Sequence, residues 1–190
     1  MRYFIFLLFA SFIIASCNNK VYVPKPMGYI QLVAPEHDYI LFDKGCPFTF
    51  EIAKDAMTFP YPGDPKETYC WFNIKYMNLQ ATVYCTYSSL KNNLENYLND
   101  SHELVYKHVI KSSAINESYV NDTTNHVFGT MYELKGDVAS PFQFYLTDST
   151  SHFFRASLYF DYKPNYDSIA PILTYLQEDM IHLVETFKWQ

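Results

Sequence analysis

Apolar and polar residues alternate cleanly in several short segments of this chain, and alternation is the signature of a half-buried strand. Phe48-Thr49-Phe50-Glu51-Ile52 is one such strand. Segments 70–76 and 79–85 alternate as well, and a two-residue turn at Met77-Asn78 pairs Tyr76 with Leu79 and sets Cys70 opposite Cys85. That register gathers Cys70, Phe72, Ile74, Tyr76, Leu79, Ala81, Val83 and Cys85 on one apolar face, because directly opposed residues share a face. Segments 114–120 and 126–135 predict a second hairpin around Asp122-Thr123-Thr124-Asn125, and 143–147 with 153–162 a third around Asp148-Ser149-Thr150-Ser151. Residues 59–65, with three prolines and a glycine, predict irregular chain.

Two stretches carry a helical period instead. From Ser88 onward, Leu90, Leu94, Tyr97, Leu98, Val105, His108 and Val109 fall near helical spacing, with Ser88 or Ser89 as cap and a break near Asp100-Ser101. Segment 168–187 predicts a long closing helix with its stripe at Ile169, Ile172, Leu173, Leu176, Met180, Leu183, Val184 and Phe187. Asn165 or Asp167 can cap it, and Pro171 falls in its first turn, where a missing amide matters little. Strands joined by short turns make the expected sheet mostly antiparallel, with the two helices packed on it. The class is α+β, and the order of elements is similar to a Mog1/PsbP-like sandwich.

The amino terminus follows another pattern. Arg2, an apolar run from Tyr3 to Ala15 and the box Ile14-Ala15-Ser16-Cys17 read as a lipoprotein signal peptide, too short for a span of roughly 20 residues. Cleavage makes Cys17 the acylated first residue, and each methylene of its acyl chains contributes about 0.8 kcal/mol of membrane affinity. The expected organisation is a signal over 1–16, an extended proline-containing tether over 17–28 and one α+β domain over 29–190. No acid follows Cys17 directly. That resembles the default route to the outer membrane, and the absence of an acidic run favours the periplasmic face.

Removing residues 1–16 leaves 174 residues with 13 basic against 20 acidic side chains, scattered rather than blocked, so nucleic acid is not an expected partner. Aromatics reach 19%, with 18 Tyr and 16 Phe. They suit strands, and they could also line a cavity for a lipid or small ligand. Cys46, Cys70 and Cys85 remain after lipidation, an odd number in a compartment where disulfides persist. Opposition of Cys70 and Cys85 allows a cross-strand disulfide or two buried thiols.

Catalytic signatures, phosphate loops and dinucleotide fingerprints are absent from the sequence, so neither enzymatic activity nor a cofactor is expected. The histidines at 37, 102, 108, 126, 152 and 182 are dispersed, and His102 and His108 are six apart rather than the three or four that align ligands on a helix, so no metal is expected. Residues 143–155 place Thr147, Asp148, Ser149, His152 and Arg155 around one turn, the residue types of acid–base work. Short side-chain oxygens are also what a hairpin turn needs, and turn chemistry is the stronger reading, with hydrolysis and partner contact behind it. Lys107-His108 is similarly divided between contact and packing.

Four blocks resemble the GldD lipoproteins associated with gliding motility and type IX secretion. They are Tyr22-Val23-Pro24-Lys25-Pro26-Met27-Gly28-Tyr29 with Pro35-Glu36-His37; Tyr106-Lys107-His108; 143–159 with Thr147-Asp148-Ser149 and His152-Phe153; and Lys163-Pro164-Asn165-Tyr166-Asp167-Ser168 through Trp189. The cysteines lie outside the resemblance. It implies a nonenzymatic accessory protein, held to the membrane by its lipid anchor and touching other envelope proteins of the gliding and secretion machinery. Lys107, Thr147, Asp148, Ser149 and His152 are then candidates for contact or fold maintenance.

Overall fold

The computed structural model describes residues 36–63, 66, 69–162 and 165–190. Cys17, the signal segment and the tether lie outside the described residues, as do the block Tyr22 to Tyr29 and Lys163-Pro164. In chain order the strands are β1 (Tyr39–Phe42), β2 (Phe48–Ala53), β3 (Met57–Pro60), β4 (Phe72–Tyr76), β5 (Ala81–Ser89), β6 (Ala114–Asp122), β7 (Val127–Lys135), β8 (Phe142–Thr147), β9 (His152–Phe160) and β10 (Lys188–Trp189). Helix α1 (Leu94–Tyr106) lies between β5 and β6, and α2 (Tyr166–Thr186) between β9 and β10. A seven-stranded sheet runs β3-β4-β5-β9-β8-β7-β6 and a three-stranded one β1-β2-β10, with antiparallel pairing throughout.

The core lies between one face of the large sheet and a layer made of α2 and the small sheet. Phe72, Ile74, Val83, Cys85, Phe144, Leu146, Phe154, Ala156 and Leu158 face it from the large sheet, and Leu173, Leu176, Met180 and Leu183 from α2. Phe48 and Phe50 alternate inward along β2 and meet Phe187, just past α2, at ring separations of 5.5 and 5.7 Å. On the opposite face, α1 covers β9 through Tyr97 against Phe153. The aromatic excess is therefore largely packing material, with Phe48, Phe50, Phe144, Phe154 and Phe187 fully buried against one another rather than lining an enclosed space.

The first hairpin forms in a different register. Met77–Leu79 make a 3₁₀ turn and Gln80 takes a left-handed conformation at φ 49°, so four residues rather than two connect the strands. Tyr76 then opposes Ala81, and Cys85 opposes Phe72 instead of Cys70. The shift is by two positions, which preserves the side-chain parity and hence the buried face of Phe72, Ile74, Tyr76, Ala81, Val83 and Cys85. Cys70 sits outside β4 with φ 56° and bonds to Cys46, a Cα separation of 5.8 Å, which corrects the Cys70–Cys85 pairing. Cys85 is a free, fully buried thiol whose pKa is pushed up by that burial.

Other boundaries also move. Strand β5 runs on to Ser89 because Tyr87, Ser88 and Ser89 find partners in Phe154, Phe153 and His152. α1 therefore starts only at Leu94, and it passes Asp100-Ser101 unbroken, with Ser101 buried. α2 begins at Tyr166, two residues earlier than predicted, which puts Pro171 in the second turn. Its first amide, on Tyr166, donates to the Asp137 carboxylate at 2.9 Å, so an acid from the β7–β8 loop caps it.

The disulfide ties the loop before β2 to the loop before β4 across 24 residues of sequence. Closing a loop of this size restricts the unfolded chain by about 3 kcal/mol in the chain-entropy view. Replacing both Cys46 and Cys70 by Ala should lower stability by roughly that amount in urea denaturation, with the Cys70→Ser single variant showing the same loss and Cys85→Ser no change in non-reducing gel mobility.

Candidate functional site

The β8–β9 turn is built by its own side chains. Asp148 Oδ1 accepts from the amides of Thr150, Ser151 and His152 at 3.0, 2.8 and 2.8 Å, and Oδ2 accepts from the Thr150 hydroxyl at 3.0 Å. Thr147 Oγ1 donates to the His152 carbonyl at 2.7 Å and accepts from the Ser149 amide at 2.9 Å. Ser149 takes φ 69°, the left-handed corner the turn requires. Burial alone would raise the Asp148 carboxyl, but donation from the amides of Ser151, His152 and Thr150 outweighs it and holds the group below the usual carboxylate range. Asp148 thus binds the backbone of His152, not its ring.

The His152 ring points to other elements. Its Nδ1 lies 2.8 Å from the Tyr87 hydroxyl, and the ring stacks on Trp189 at 5.2 Å. Trp71 Nε1 donates to the Tyr87 carbonyl at 2.6 Å. The turn, the carboxy-terminal strand and the disulfide-bearing loop are joined through these contacts. Thr147, Asp148, Ser149 and His152 therefore come together as predicted, in an arrangement that fixes the hairpin. Lys107 is elsewhere, following α1, where it pairs with Glu103 at 3.0 Å on the surface. His108 is half-buried, and desolvation with the nearby Arg155 and Lys111 charges keeps its pKa low.

A second polar cluster carries little trace in the sequence pattern. His37 Nδ1 lies 2.6 Å from Asp179 Oδ1, and Nε2 lies 2.8 Å from Glu178 Oε2. Ionised carboxylates only accept, so this arrangement suits the imidazolium form, in which both ring nitrogens donate. Burial acts to lower its pKa, and the hydrogen bonds and charges of Asp179 and Glu178 overcome this and raise it. Tyr39 also donates to Asp179 Oδ1, at 3.1 Å. The rings of Tyr175, His37, Tyr39 and His182 form a ladder with spacings of 4.4, 5.9 and 3.6 Å, and His182 Nε2 meets Glu51 at 2.7 Å. Asp179 is almost wholly buried, and desolvation raises its carboxyl despite these partners. In the sequence, His37 is marked by the block Pro35-Glu36-His37, while its partners Glu178 and Asp179 lie 141 and 142 residues away.

A surface groove of about 510 Å³ opens beside the disulfide, lined by Phe42, Phe59, Tyr61, Trp71 and Phe72 with Lys44 at its polar side. Among the described residues no group of three His, Cys, Asp or Glu could hold a metal ion, and no helix is long and apolar enough to cross a membrane.

Two pH-dependent outcomes follow from these clusters. Asp148→Ala should cost about 2 kcal/mol at pH 7, and the deficit should close in urea titrations as pH falls below about 4 and through the depressed folded pKa, where the wild type loses the same contribution. His37→Gln has the opposite sign. Its deficit, also about 2 kcal/mol, should be complete below about pH 6.5 and shrink as pH rises through the elevated folded pKa, read as the difference in urea midpoint between pH 5.5 and 8.5.

Comparison with known proteins agrees with this architecture. The solution structure of cyanobacterial PsbP (CyanoP) from Synechocystis sp. PCC 6803 matches with a TM-score of 0.50 at 8% identity, covering 87% of this chain and 99% of that one. At that identity the likeness is one of fold, and it supports the α+β sandwich. No curated protein matches the sequence. A family model described as gliding motility lipoprotein GldD matches residues 19–189, nearly the whole of the domain and the segment leading into it. The chain belongs to the GldD family of gliding motility lipoproteins.

Proposed function

We propose that this protein is a nonenzymatic assembly component of the gliding-motility and type IX secretion apparatus, anchored by an acylated Cys17 in the outer membrane and facing the periplasm. Family membership over residues 19–189 is the observation that carries the reading. The use of the most chemistry-like residues supports it. Asp148 has both oxygens committed to its own turn, and His152 Nδ1 faces Tyr87. His37 has a carboxylate within hydrogen-bond distance of each ring nitrogen, so both nitrogens are engaged inside the fold. These groups hold elements of the fold together. A lipid anchor makes surface contacts effective, because confinement near other envelope components raises local concentration and lets weak contacts hold an assembly.

Deleting the gene should abolish both colony spreading and type IX export. Cys17→Ala should block incorporation of radiolabelled palmitate and reproduce the deletion, while Asp148→Ala and His152→Ala should reduce export only in parallel with the amount of folded protein. Export lost at full protein level in either turn variant would instead indicate a direct role for the turn, in partner contact or in chemistry.

A further inference from the structure

The two edges of the seven-stranded sheet are finished differently. Strand β3 is only four residues long and ends in Pro60. Those are devices that discourage further pairing. Strand β6 pairs with β7 over nine consecutive residues without a bulge, contains neither Pro nor Lys, and is exposed along most of its length. Among the described residues nothing pairs with its outer edge. Tyr119, at 80% exposure, stands on this strand. An open edge of this kind is a template for another strand.

We infer that β6 pairs antiparallel with β6 of a second copy, about a two-fold axis through Ser118. The side chains of the strand are self-complementary in that register. Full overlap of Ala114–Asp122 places Ser118 opposite itself, Glu117 opposite Tyr119, Asn116 opposite Val120, Ile115 opposite Asn121 and Ala114 opposite Asp122. No like charges are directly opposed, and the two Glu117 carboxylates, which lie diagonal to each other, each accept from the Tyr106 hydroxyl of their own protomer at 2.9 Å. Moving the axis to Glu117 would set the two Glu117 carboxylates against one another, which is destabilising. Lys135 is the β7 partner of Ala114, so it shares a face with the incoming Asp122, and only a methyl group lies between them. Each end of the strand therefore offers a cation to the partner's acid. The two Tyr119 rings come diagonal to each other at about 7–8 Å, within aromatic reach, and cover one another. The pairing joins two seven-stranded sheets into one, and it does not depend on which machinery the protein serves.

Cysteine crosslinking of the full-length, lipidated protein in intact cells tests this. Cys46 and Cys70 are bonded and Cys85 is buried, so Ser118→Cys supplies a distinguishable surface thiol. Mild oxidation should give a disulfide-linked homodimer with Ser118→Cys. The yield should be roughly tenfold lower with Asn121→Cys, whose copies lie about 20 Å apart in this register. Equal yields, no homodimer, or capture of a different protein alone would overturn the proposal. Ser118→Lys, an exposed substitution that leaves the protomer intact, sets two ammonium groups face to face. In detergent it should raise the dimer dissociation constant roughly tenfold or more by sedimentation analysis, and an unchanged constant would also overturn the proposal.

Discussion

Phenylalanine packing between the two sheets is the constraint from which the remaining structure follows. Phe48 and Phe50 project from β2 into a cluster with Phe72 of β4, Phe154 of β9 and Phe187 beyond α2, at ring separations between 5.1 and 6.4 Å. Each fully buried ring contributes about 2–3 kcal/mol. They come from the beginning, middle and end of the chain, so the small sheet, the large sheet and the closing helix have to assemble together. β1 and β10 are short, and they are held because β2 lies between them with its inner face in this cluster.

The elements that could be read in advance are those whose signal is local. The hairpins β6–β7 and β8–β9 stood out because strand alternation is interrupted by Asp122 and Asp148, each of which accepts amides from its own turn. α2 stood out because its apolar stripe is long. β1, β3 and β10 did not, since edge strands of two to four residues with mixed exposure leave no period to detect. The face of the β4–β5 hairpin was legible while its register was not, because parity survives a two-residue shift and turn length does not show in alternation. The Cys46–Cys70 bond depends on a positive φ that takes Cys70 out of its strand, which no spacing rule reveals.

The candidate site divides in the same way. Thr147, Asp148, Ser149 and His152 form a group already in the sequence because they are close along the chain, and the hydrogen bonds of Thr147 and Asp148 build the turn that joins β8 to β9. Lys107 joins them only through the family resemblance, and it stands apart just past the end of α1, paired with Glu103. His37 and Asp179 are 142 residues apart and follow no periodicity, so this cluster is the one that pattern reading could not assemble.

His37 also has a mechanical meaning. It lies immediately ahead of β1, where the amino-terminal segment enters the fold, and it grips α2 rather than its own strand's neighbour. Any pull arriving from that direction meets two charge-assisted hydrogen bonds and a stack of rings before it reaches the backbone pairing of β1 with β2. Tension is thereby diverted into a long helix packed along the core, and the weak edge strand is spared from being peeled away.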